Sequence, residues 1–157
     1  MITKDISEIK KVIEEANSTE KTVMVTNGCY DIVHAGHASF IDNAKKQCDV
    51  LIICLNSDKS VKAYKGENRP INNEDDRAYL LSKLDGVDHV YIFNDAKFDS
   101  TLEILKPKKY AKGQDYNIDK IEQSEREIIE NYGGEIVFID HPIKTSTTFI
   151  INKILEK

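Results

Sequence analysis

Short apolar β-type runs alternate with amphipathic stretches along almost the whole chain, and that alternation confines the fold more than any other feature. The β-type runs fall at 22–26, 50–55, 89–93, 109–111 and 135–139; helical spacing of apolar residues falls at 35–47, 59–64, 74–84, 100–105, 120–132 and 147–155. Strands separated by helices build right-handed βαβ units around a parallel sheet. Ahead of the first strand, Ile6, Ile9, Val12, Ile13 and Ala16 recur at helical spacing, so residues 1–17 read as an amphipathic helix laid against the domain. A chain of 157 residues has room for one core, and no linker, repeat or low-complexity tract divides it. The expected architecture is therefore a single α/β domain over 1–157, a doubly wound Rossmann-like parallel sheet that binds ligands at the carboxyl ends of its strands.

Residues 28–37, following the first β-type run, read Gly-Cys-Tyr-Asp-Ile-Val-His-Ala-Gly-His. Where a strand hands over to a helix, positions 34 and 37 lie three apart and point the same way. Gly36 removes a side chain that would hold an anion at a distance, and the first helical turn offers unpaired N–H groups and the positive end of its dipole. His34 and His37 thus read as two donors converging on a phosphate. A metal site with Cys29 as third ligand is the competing reading, but the only other histidines are His89 and His141, and zinc-enzyme spacing is missing.

A formal net charge of −5 without a Lys/Arg stripe argues against a general nucleic-acid binder, so any anion site is local. The longest apolar stretches, such as 50–55, are too short to cross a bilayer, and the N-terminus lacks a signal-peptide core. Cys29, Cys48 and Cys54 form no Cys-x-x-Cys pair and suit reduced thiols, with Cys48 and Cys54 in or near the core. A cytoplasmic protein is expected.

The His-x-Gly-His block resembles the signature of the cytidylyltransferase-like superfamily, nucleotidyltransferases that join a nucleoside triphosphate to a phosphorylated acceptor and release pyrophosphate. The resemblance runs from about residue 23 to 153. It includes Leu55-Asn56-Ser57-Asp58, Ser60-Val61-Lys62 with Lys65-Gly66, Arg69-Pro70-Ile71-Asn72, Asp76-Arg77-Ala78, Lys112-Gly113 with Asp115-Tyr116, Gly133-Gly134-Glu135 and Ser146-Thr147-Thr148. The chain looks most similar to the heptose 1-phosphate adenylyltransferases, with glycerol-phosphate cytidylyltransferases as near relatives. A kinase domain fused to some members is not among these residues, so the phosphorylated acceptor is expected to come from another protein.

The resemblance implies roles residue by residue. His34 and His37 fall to the α-phosphate and the leaving pyrophosphate, assisted by a backbone N–H among Asn27, Gly28, Cys29 and Tyr30. Lys62 is the first candidate to bridge acceptor and α-phosphate, and Lys65 the second. Asp31 and Arg69 fall on the acceptor side; a carboxylate at 31 suits sugar hydroxyls, and an Asx-type turn is its structural reading. Lys112, Gly113 and Asp115 lie near base and ribose. Ser146, Thr147 and Thr148 lie where the last helix would hold the β- and γ-phosphates, although hydroxyls there also serve as N-caps. Arg77 is either functional or paired with Asp75 or a partner subunit. Mg²⁺ is implied by the triphosphate and no metal ligand is assigned; a homodimer is implied as well.

Two blocks depart from the family pattern. Gly113-Gln114-Asp115 stands where the heptose-type relatives show Gly-Gly-Asp, and His141-Pro142-Ile143-Lys144-Thr145 where relatives carry a Gly two residues before the Ser, often with an upstream Arg. Either Lys144 supplies the missing cation or that loop is shaped differently. The expected reaction is adenylyl transfer from ATP to D-glycero-β-D-manno-heptose 1-phosphate. The same transfer from CTP to glycerol 3-phosphate or another small phosphate, a non-catalytic nucleotide-binding regulatory module, and a zinc hydrolase are the alternatives. The polar 59–72 segment with Gly66 suits a closing lid.

Overall fold

Successive strand residues point to opposite faces, and here both faces are covered, which is why the strands read as near-continuous apolar runs. The computed structural model describes residues 1–114, 117–143 and 145–156. It contains strands β1 (Ile2–Thr3), β2 (Val23–Gly28), β3 (Val50–Asn56), β4 (His89–Phe93), β5 (Lys109–Gly113) and β6 (Glu135–Ile139). Every pair is parallel, in the order β1-β4-β3-β2-β5-β6. The helices are α1 (Ile6–Ser18), α2 (Ala35–Lys45), α3 (Asp58–Lys65), α4 (Glu74–Ser82), α5 (Asp99–Leu105), α6 (Gln123–Tyr132) and α7 (Thr147–Leu155). No helix among the described residues is long and apolar enough to cross a membrane.

The strand side chains sort by parity. Val23, Val25, Ile52 and Cys54 pack with Ile9 and Ile13 of α1, Leu102 of α5 and Ile129 of α6. Met24, Leu51, Ile53 and Leu55 pack on the other face with Ile41 and Ala44 of α2 and Ala78 and Leu81 of α4. The doubly wound expectation is met.

Most boundaries lie within two residues of the sequence reading, and the larger differences lie toward the two ends of the element order. Residues 1–17 contain not one helix but β1, paired with β4, followed by α1 capped by the Asp5 carboxylate, which accepts from the Ser7 N–H at 2.8 Å. A two-residue edge strand carries no periodic signal. The strand expected at 22–26 extends to Gly28, and the helix expected from 120 starts at Gln123 after a separate 3-10 turn at Ile118–Lys120.

The connection from β3 goes to β4 on one side of β2, and the chain then returns to place β5 on its other side. The carboxyl ends of β2 and β5 therefore flank the point where strand order reverses, the place where an open α/β sheet gapes to admit a ligand.

Candidate active site

At the end of β2 the chain turns sharply. Tyr30 takes a left-handed φ of 46°, which a non-glycine residue adopts at a cost on the order of 1 kcal/mol. Its ring folds under the strand end, where a Cβ on Gly28 would sit 2.8 Å from it. The chain then enters α2 with His34 as N-cap, whose Nδ1 accepts from the His37 N–H at 3.4 Å. The two imidazoles stack with centroids 3.7 Å apart and planes 17° from parallel, and Tyr30 lies against His37 at 4.8 Å. A Cβ on Gly36 would meet the Ile143 carbonyl oxygen at 3.0 Å and the His34 ring at 3.1 Å, so glycine lets the loop after β6 approach the start of α2.

A cavity of about 330 Å³ opens over these rings. Around it stand His34, Gly36 and His37 from α2, Thr145 to Thr148 at the start of α7, Asn27 from β2, Lys112 and Gly113 from β5, His141 and Lys65. Two helix N-termini thus face one space, with imidazoles and ammonium groups around it and no carboxylate in its lining. Burial pushes His37 down to about 3, helped by the neighbouring His34, His141 and Lys65; burial also lowers His34. His37 is therefore neutral near pH 7. Its Nδ1 is buried and makes no hydrogen bond among the described residues.

The start of α7 divides its duties. Ser146 is the N-cap, its hydroxyl oxygen accepting from the Phe149 N–H at 3.0 Å, and the Thr147 hydroxyl donates to the Ile32 carbonyl at 3.3 Å, which ties α7 to the loop before α2. Thr148 also lines the cavity. Beside it lies a hollow of about 620 Å³ formed by Gln114, Asp140, His141, Pro142, Thr145, Ser146 and the exposed Phe149.

A second cavity of about 560 Å³ lies over β3, β4 and β5 and shares Asn27, Lys65 and Lys112 with the first. Lys65 therefore faces both spaces. Lys62, the first candidate from the sequence, lines a separate hollow with Asp58, Lys59, Ala63 and Glu67, of which Ala63 also borders the second cavity. Both lysines lie in the last turn of α3, about 60° apart around its axis, and of the two it is Lys65 that lines both cavities. Lys65→Ala is expected to lower kcat/KM for nucleotidyl transfer by roughly 10²-fold and Lys62→Ala by less than about threefold, measured side by side by pyrophosphate release.

Asp31 is not aimed into either cavity. Its buried carboxylate accepts from the Ile71 N–H at 2.7 Å, the Asn72 N–H at 3.0 Å and Arg69 Nε at 2.5 Å. Those bonds hold its pKa below the usual carboxylate value against burial, which acts in the opposite sense. Asp31 and Arg69, read from the sequence as acceptor contacts, pin the 69–72 turn to the loop after β2. Residues 58–65 are helical and 69–72 are tied down, so the segment read as a lid is anchored in this structure. Arg77 pairs with Asp58 rather than Asp75, at 2.8 Å, and is almost wholly buried. Asp115 and Lys144 lie outside the described residues.

His141, Phe149 and Glu125 were missed as candidate site residues. His141 follows β6 directly, and its place at the carboxyl end of a parallel strand was the available signal. Phe149 and Glu125 lie inside the segments read as the last two helices, where helical spacing alone marks no site residue. Among the described residues, no three His, Cys, Asp or Glu side chains gather as a metal site.

The chain matches the family model described as Cytidylyltransferase-like over residues 25–153. It is 39% identical over 145 residues to the bifunctional protein HldE of Alcanivorax borkumensis, covering 92% of this chain and 30% of that protein. It is 46% identical over 134 residues to the bifunctional protein HldE of Campylobacter fetus, covering 85% and 28% respectively. The chain thus spans less than a third of the length of these curated relatives. Among solved structures it resembles the lipopolysaccharide core biosynthesis protein from Thermoplasma volcanium, with a TM-score of 0.64 and 25% identity, covering 80% of this chain and 99% of that one. The His-x-Gly-His turn, the parallel sheet and these matches make the chain a member of the cytidylyltransferase-like family of nucleotidyltransferases.

Proposed function

We propose that this chain adenylylates D-glycero-β-D-manno-heptose 1-phosphate, using ATP and releasing pyrophosphate. The observation that carries the chemistry is the 330 Å³ cavity, where two helix N-termini, two stacked imidazoles and two lysines surround one space without a carboxylate in its lining. Such a space suits a polyphosphate and nothing cationic. The heptose assignment rests on the likeness of the motif blocks to heptose 1-phosphate adenylyltransferases, and on similarity to a protein described as acting in lipopolysaccharide core biosynthesis.

In this reading a phosphate oxygen of the acceptor attacks the α-phosphorus of ATP. The bond from that phosphorus to the bridging oxygen breaks, and pyrophosphate leaves with the electron pair. No protein nucleophile is required, so the residues act by position and charge. His37, neutral in the free protein, donates a hydrogen bond to a non-bridging oxygen; a phosphate beside it favours the protonated ring as negative charge builds. Lys65 and Lys112, facing both cavities, balance the acceptor and α-phosphates. The hydroxyls and N–H groups at the start of α7 take the outer phosphates, and the base lies in the hollow against Phe149 and Gln114. With no carboxylate in the lining, Mg²⁺ would arrive on the triphosphate and keep mostly phosphate and water ligands, neutralising charge on the leaving group.

The test is pyrophosphate release with Mg²⁺ and each of the four nucleoside triphosphates against heptose 1-phosphate, glycerol 3-phosphate and hexose 1-phosphates. Activity confined to ATP with heptose 1-phosphate is the expected result. Activity with CTP would keep the mechanism and replace the substrates. Nucleotide binding without turnover on any acceptor would overturn the reading in favour of a regulatory module.

A further inference from the structure

Lys112 is an unusual cation. It projects from β5 into the wall between the two cavities with its side chain only 15% exposed. Its ammonium donates to Asn27 Oδ1 at 3.0 Å, stands 3.3 Å from Glu125 Oε2 and lies 4.8 Å from the Tyr110 ring centroid. Glu125 reaches it from the first turn of α6, itself only 7% exposed. The Tyr110 hydroxyl lies 3.0 Å from the same Glu125 oxygen and 2.8 Å from Asn27 Oδ1, so its single proton serves one of them at a time.

These four side chains come from β2, β5 and α6 and form one polar cluster inside an otherwise apolar layer. A buried carboxylate is expensive to keep without a partner of opposite charge, and so is a buried ammonium. Each therefore fixes the other. Glu125 lines only the second cavity, whereas Lys112 lines both. The carboxylate thus holds the ammonium from the second-cavity side, leaving the first-cavity side of the ammonium for an anion to approach.

We propose that Glu125 is a positioning residue that, through Lys112, fixes a cation in the wall shared by the two cavities. Burial lowers the hold of Lys112 on its proton, and among the described residues Glu125 is the main group opposing that. Among the described residues, the other charged or titratable groups around the two cavities are Glu122 at the α6 cap, Tyr64 and Lys65 from α3, Cys29 after β2, Lys97 and Asp99 at the start of α5, Lys120 from the 3-10 turn, Tyr110 on β5, and Tyr30, His34, His37 and His141 around the first cavity. Among these carboxylates only Glu125 is paired with the ammonium. Removing its charge while keeping its shape takes the Glu125 carboxylate away from the Lys112 ammonium while its bond to Asn27 remains, so the buried lysine sheds its proton more readily and is held less firmly.

The kinetic arm of the test rests on the proposed function; a second arm does not. Glu125→Gln, Glu125→Asp, Lys112→Met and the Glu125→Gln/Lys112→Met double variant are compared as full-length protein, with circular dichroism as the check on folding. Glu125→Gln is expected to lower kcat by about tenfold with the KM for nucleotide changed less than about threefold, and Glu125→Asp to retain an intermediate rate. In the Lys112→Met background the Glu125 change should cost less than about twofold, because the residue acts through the lysine. Independently, the Lys112 ammonium, followed by NMR in protein carrying ¹³Cε-lysine and assigned by its loss in Lys112→Met, should titrate at lower pH in Glu125→Gln than in the parent.

An equal kcat loss in both backgrounds, or a Lys112 titration unmoved by Glu125→Gln, would overturn the proposal. Should Glu125→Gln fail to fold, Glu125→Asp carries both arms. Should the parent release no pyrophosphate with any substrate pair, the proposed function is what fails, and the Lys112 titration alone decides the role of Glu125.

Discussion

His37→Ala should lower kcat for pyrophosphate release by on the order of 10²–10³-fold while leaving the circular dichroism spectrum intact. The ring sits on the first turn of α2 with its Nδ1 buried, without a hydrogen bond among the described residues, and facing the cavity where two helix N-termini meet. A group so placed costs the folded protein something and is useful only when an anion arrives. The same burial gives a second readout. With its folded pKa pushed down to about 3, His37 holds fewer protons in the native state than in the unfolded chain between that value and the ordinary histidine range. Stability therefore rises with pH through that window and is lost as pH falls through it. His34 and His89, also lowered by burial, act in the same sense in both proteins. Urea unfolding of parent and His37→Ala at pH 7 and pH 4.5 should show the smaller loss on acidification in the variant. An active His37→Ala enzyme would remove the ring from the mechanism altogether.

The parts of this molecule legible in the sequence are those set by local rules. Parity along buried strands and spacing along helices gave the order of elements, because a parallel sheet covered on both faces leaves few alternatives. His34, Gly36 and His37 were legible for a related reason: strand end, glycine and helix start occupy ten consecutive residues. What escaped depends on contacts between distant segments. Nothing local says that Asp31 is 40 residues from its partner Ile71 and turned away from the cleft. Nor does anything local separate Lys62 from Lys65, which differ only by most of one helical turn. Glu125 was hidden by its neighbours, since Glu122, Arg126 and Glu127 around it belong to a solvated face. The sheet's reversal between β2 and β5 brings Asn27, Lys112 and Glu125 together, and that reversal is a property of topology.

Arg77→Ala is expected to destabilise the protein by about 3–5 kcal/mol, a larger loss than any single change in the cavity lining should produce. The guanidinium is 1% exposed and donates to three carbonyls: Cys29 at 2.6 Å, Asn56 at 2.8 Å and Asn72 at 2.9 Å. Its remaining branch meets the Asp58 carboxylate at 2.8 Å. Those acceptors belong to the loop after β2, the end of β3, the turn before α4 and the first residue of α3, so one side chain closes the frame from which the site is hung. Truncation leaves three carbonyls without their donor and an ion pair broken, each costing on the order of 1–3 kcal/mol where buried, partly relieved by entering water. Lysine is a poor substitute, because a compact ammonium cannot match the fork that reaches three separated oxygens. Urea denaturation should therefore show Arg77→Lys nearer to Arg77→Ala than to the parent. Activity measured well below the unfolding midpoint should fall as well, since the Cys29 and Asn56 carbonyls anchor the loops that carry the His pair and Lys65. A loss of under about 1 kcal/mol in Arg77→Ala would mean that water or a neighbouring donor replaces the guanidinium, and that the apolar layers hold the frame without it.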